Sequence, residues 1–228
     1  MRCIRHSLLA LSAASALALP NAGSAHEDDR FDDEATSAQW WQWALSIPIS
    51  SNPLADTSGA SCMVGQRGPL WFLAGTFGLG TVTRHCSVPA GVTLFFPVVN
   101  SVQLNTPGIC GQTGPLSVHE MRANNAAFID GTTQMTLTLD SRPVPKLRRV
   151  RSEPFVAVLP ADNLFLSPCN GDSPAGVYGP AVDDGYYARL ERLSPGRHVL
   201  QFTAKNPGAN FDLNVTYILD VVRTAGPG

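Results

Sequence analysis

From Phe211 to Val221 every second residue is apolar: Phe211, Leu213, Val215, Tyr217, Leu219 and Val221 alternate with Asp212, Asn214, Thr216, Ile218 and Asp220. A period of two places the two sets on opposite faces of a pleated strand, so one face is expected to be buried. The same alternation runs through Leu200, Phe202 and Ala204 against Val199, Gln201 and Thr203, and through Tyr186, Ala188 and Leu190 against Tyr187, Arg189 and Glu191. Ser194-Pro195-Gly196 and Asn206-Pro207-Gly208 separate the runs, because Pro presets φ and Gly accepts positive φ. The stretch from Asp183 to Val222 therefore reads as a β-meander. Three strands with one apolar face need a second layer, and the expected fold is all-β, a jelly-roll-like β-sandwich with one or two short peripheral helices.

The rest of the chain supplies the other elements. Trp40, Trp41, Ala44 and Leu45 cluster at helical spacing in Ala35 to Ser46, and Pro48 stops that helix near Ile47. Leu70 to Ala74 reads as a buried strand, and Gly75, Gly78 and Gly80 predict a tight hairpin into Thr81 to Cys86. Val92 to Val99 is nearly all apolar, as a central strand covered on both faces would be. Ser117 and Glu120 have capping-box spacing ahead of a helix from Val118 to Ile129. Met135 to Leu139 alternates as a strand, Val150 to Leu159 as another interrupted near Pro154, and the chain from Pro160 to Asp184 reads as a long loop.

The first 25 residues have the form of an export signal: basic Arg2 and Arg5, a short apolar run from Ser7 to Pro20, and a small-residue site at Gly23-Ser24-Ala25. The expected mature chain, 26–228, is one sandwich domain, exported to the periplasm or secreted, and has no apolar stretch long enough to span a membrane. Export makes the four cysteines that remain, Cys62, Cys86, Cys110 and Cys169, candidates for two disulfides. Pairing Cys62 with Cys86 and Cys110 with Cys169 closes loops between neighbouring runs, whereas zinc is disfavoured by the lack of any Cys-x-x-Cys pair. A net charge of -2 excludes the basic surface that a nucleic-acid partner needs. The one basic cluster, Arg142, Lys146, Arg148, Arg149 and Arg151, reads as solvated charges.

Runs from Asn52-Pro53 to Phe77, from Arg84-His85-Cys86-Ser87-Val88-Pro89-Ala90-Gly91 to Asn100, Asp184-Gly185-Tyr186, Leu193 to His198 and Val215-Thr216-Tyr217 resemble an uncharacterised group of small secreted bacterial signal-peptide proteins with a β-rich domain. The resemblance implies export and a shared domain and brings no catalytic residues with it.

Candidate chemistry is sparse. Trp40, Trp41 and Trp43, with Tyr186 or Tyr187, could stack a sugar ring, although such clusters more often dock a helix. A mature N-terminal His26 would offer an amine and an imidazole to copper, completed by His85 or His198. Asp183 and Asp184, with Asp172, could form a hydrolase acid and base pair or a calcium site, but Asp-Gly is also an ordinary turn sequence. No hydrolase elbow, zinc helix or Rossmann fingerprint occurs. These features favour a non-catalytic extracytoplasmic binding module for a glycan or an envelope protein partner, with no cofactor expected. The alternative is a secreted copper oxidase or carboxylate-dependent hydrolase.

Overall fold

The computed structural model describes residues 32–76, 80–145 and 147–223. The expected export signal, His26 and Lys146 lie outside these residues. Helix α1 (Asp33–Ser46) is followed by strands β1 (Leu70–Phe72), β2 (Gly80–Pro89) and β3 (Thr93–Leu104), then helix α2 (Val118–Asp130). Strands β4 (Thr133–Leu139), β5 (Arg142–Pro143), β6 (Arg148–Arg151), β7 (Phe155–Leu159), β8 (Gly176–Glu191), β9 (Gly196–Asn206) and β10 (Phe211–Val222) complete the chain.

These strands form two mixed sheets. One has the order β1-β3-β8-β6 with β7 also on β8, and the other the order β2-β10-β9-β4-β5. The expected meander is corrected here: β9 and β10 pair antiparallel, but β8 belongs to the other sheet. Ser194-Pro195-Gly196 is thus a crossing between layers. The expected hairpin after Leu73 is corrected in the same way, since β1 and β2 lie in different sheets. Each sheet contains one parallel pair, β1 with β3 and β2 with β10, so the antiparallel order of a jelly roll is not shown.

The core between the sheets takes Leu94, Phe96 and Val98 from β3, Ala188 and Leu190 from β8, and Leu200, Phe202, Val215, Tyr217 and Leu219 from the facing sheet. A second core lies on the opposite face of the first sheet, where α1 packs Trp40, Trp41, Ala44 and Leu45 against Phe95, Ala157, Ala181 and Tyr187. The molecule is therefore layered as helix, sheet, sheet. Asp32 caps α1 by accepting from the amides of Glu34 and Ala35, and Asn52 Nδ2 donates to the carbonyls of Ala44 (2.7 Å) and Ile47 (2.8 Å) at the other end. α2 begins with the predicted capping box and lies across β3 and β8. There the buried Asn125 donates to Val182 O at 2.8 Å and accepts from Ser101 Oγ at 2.9 Å. Disulfides join Cys62 to Cys86 and Cys110 to Cys169.

Candidate functional site

The bare side of the second sheet and the carboxyl groups buried in β8 are two places where polar side chains converge. Asp183 and Asp184 do not form a turn: they sit in the middle of β8, 1% and 2% exposed. Strand alternation sends them to opposite faces. Asp183 points under α1, where it accepts from Trp41 Nε1 (2.7 Å) and Tyr187 Oη (2.9 Å). Burial pushes its carboxyl up to about 8, against the hydrogen bonds from Trp41, Tyr187 and Ser37, and the neighbouring Asp184 adds to the rise. Asp184 points the other way and holds Arg149 through two bonds, at 2.9 and 2.8 Å, and Arg151 at 3.2 Å. Arg149 is raised chiefly by Asp184, so part of the basic cluster is a clamp on a buried carboxylate rather than a solvated face.

This arrangement corrects the hydrolase reading. An acid and base pair must flank one bond, and two carboxyls on opposite sides of a sheet share no substrate. It also corrects the sugar-stacking reading, because Trp40, Trp41 and Trp43 are 0%, 4% and 8% exposed and Tyr187 is buried with them. Each indole N–H is spent internally: Trp40 on Leu73 O, Trp41 on Asp183 and Trp43 on Val64 O. Tyr186 packs against the core between the sheets.

Asn100 joins this network by donating to Tyr187 Oη at 3.0 Å. It gets there through a register shift between Pro97 and Val99 that turns the rest of β3 over, so that Asn100 faces α1. The readable signal was Pro97 inside an apolar run, since Pro within a strand marks an edge or a bulge.

His198 and His85 lie on opposite faces of the second sheet. His198 pairs across to the inward Leu219, and His85 to the outward Ile218. His198 Nδ1 is 2.7 Å from Asp140 Oδ2, and Nε2 is 2.8 Å from Ser194 O and 3.2 Å from Ser194 Oγ. Ser194, His198 and Asp140 have the composition of a catalytic triad, but a base must keep Nε2 free to take the serine proton. Here that nitrogen faces a carbonyl, and the hydrogen bond to Asp140 raises the imidazole toward its charged, doubly donating form. The array is a clamp between β9 and the preceding turn and leaves no nitrogen for copper. Asp172 Oδ2 is engaged by Cys110 N at 2.9 Å, and no cluster of three or more metal-ligating side chains occurs among the described residues.

The outer face of the second sheet carries no helix among the described residues. Its strands present two cross-strand rows, Thr83-Thr216-Gln201-Thr138 and Thr81-Asn214-Thr203-Thr136. The second row lines a shallow groove of about 590 Å³ whose lining also includes the Lys205 and Asp212 ion pair (3.1 Å). Within the rows, Thr136 and Thr203 share a hydroxyl hydrogen bond of 2.6 Å and Gln201 Nε2 donates to Thr216 Oγ1 at 3.3 Å.

No family model matches the chain, and no curated protein matches it. Two solved structures show distant similarity. PbICP-C in complex with falcipain-2 is 11% identical over 69% of this chain and 100% of that one, with a TM-score of 0.26. Amebosin in solution is 12% identical over 64% and 99%, with a TM-score of 0.19. At these TM-scores neither similarity supports an assignment.

Proposed function

We propose that this chain is an exported, non-catalytic binding module that holds a neutral glycan on the outer face of the β2-β10-β9-β4 sheet. What carries this reading is that one sheet is roofed by α1 while the other displays two rows of uncharged hydroxyl and amide side chains. Neighbouring strands stand about 4.8 Å apart, so the rows offer a regular lattice of donors and acceptors suited to a polyhydroxylated chain. The scaffold beneath is rigid, since every strand of the face packs its alternate residues into the inter-sheet core. Two disulfides agree with a destination outside the reducing cytoplasm.

A panel of soluble neutral glycans, followed by calorimetric titration of the best binder, tests the proposal. Asn214→Ala and Thr203→Val should each weaken binding about tenfold, the loss of roughly one hydrogen bond. Both positions lie on the outer face, so the melting temperature should stay put. Absence of binding across the panel would overturn the glycan and leave a protein partner as the occupant.

A further inference from the structure

A second cavity, unconnected with that face, lies at the far end of the first sheet. It has a volume of about 380 Å³ and is walled by the end of β3, by the segments 105–117 and 160–175, and by Tyr178 of β8. The Cys110 to Cys169 disulfide and the bond from Cys110 N to Asp172 bind the two segments together, so the walls are fixed on both sides. Val102, Leu104, Ile109, Leu116, Phe165 and Tyr178 converge on it, each only half-buried. None of the described side chains lining it carries a charge.

Four of its polar side chains, Thr106, Gln112, Ser173 and Tyr178, are turned to their own surroundings. Gln112 Oε1 accepts from Thr106 N (3.0 Å) and Oγ1 (3.2 Å), and Nε2 donates to Asn105 Oδ1 (3.0 Å) and Gly114 O (2.7 Å). Ser173 Oγ donates to Asn163 at 3.1 Å, and Tyr178 Oη to Pro174 O at 2.7 Å. What remains for an occupant is apolar surface with the Gln103 amide at its margin, and removing apolar surface from water is worth roughly 25 cal/mol per Å². The volume falls within the roughly 300 to 1,000 Å³ of small-molecule sites. An α-helix of about 10 Å diameter would not enter it.

We propose that this cavity is a binding site for a small, uncharged apolar molecule, aromatic or acyl, recognised by shape and apolar contact. The test is a fluorescence titration of the oxidised full chain with N-phenyl-1-naphthylamine, competed separately by naphthalene and by decanol to distinguish the ring from the chain. Saturable binding at one site is expected. It should weaken at least tenfold in Ile109→Asp and in Leu116→Asp, two positions half-exposed on loops, and stay unchanged in Thr203→Val on the glycan face. Circular dichroism identifies a variant that does not fold, and the other then decides. Failure of the oxidised protein to bind the probe saturably, or equal binding by both folded variants, would overturn the proposal without touching the glycan reading.

Discussion

Asp183 is a carboxyl placed where water does not reach and no cation answers it among the described ion pairs. Its pKa in the folded chain, about 8, stands above the ordinary 3.8, so it supports the fold fully below about pH 3.8 and loses that support as pH rises through about 8. Asp183→Asn keeps the shape and removes the titration. Across pH 4 to 8 the urea midpoint of the native chain should fall relative to that of Asp183→Asn, and parallel curves would show that Asp183 is ionised in the core. Asp183→Ala should be less stable by about 2 kcal/mol at acidic pH, because Trp41 and Tyr187 then keep unpaired buried donors. Arg84 is the opposite case, a guanidinium 1% exposed that reaches Asp56 O, Ala74 O and Tyr217 Oη, with one Nη2 unpartnered. Carbonyl oxygens take the place of a counter-ion there.

At the level of elements, the β3 to β8 seam depends on Gly185, which pairs with Asn100 just past the bulge. A Cβ at 185 would stand 2.6 Å from Asn100 Cβ and 2.7 Å from Val99 O, the first fixed directly to a strand Cα and the second backbone, so neither can swing away. Gly185→Ala should lower stability by about 1 to 3 kcal/mol, the cost of overpacking, and equal chemical denaturation midpoints would count against this account. The elements themselves were largely legible. Period-two runs gave the strands, Ser117 and Glu120 gave the start of α2, and Pro48 gave the end of α1, because each is a local cause. Partnership was not legible: the alternation of Tyr186 to Leu190 is the same whether β8 joins β9 or β3. Asp-Gly at 184–185 fits a turn locally, yet the sheet enforces extended backbone there. The candidate sites failed for the same reason, since composition identified the tryptophans and carboxyls but not the sheet face on which α1 buries them.

Over the whole molecule, the two cores differ in how they close. The α1 layer joins the start of the described chain to strands from its second half, with Asp33 holding Arg148 (2.9 Å) and Arg189. The disulfides close loops of 24 and 59 residues and should stabilise by roughly 3 to 4 kcal/mol each by restricting the unfolded chain. The inter-sheet core depends on β10, which lies between β2 and β9 and pairs with β2 in parallel from Leu213–Gly80 to Val222–Pro89. A ribosome therefore releases β2 long before its neighbour exists, and contacts of such wide sequence separation form slowly. A chain ending at Asn206 should be digested by protease at the rate of an unfolded polypeptide, while the full chain resists. Under the proposed export, passage through a membrane in the unfolded state would require no device for delay, because the fold itself waits for residues 211–222.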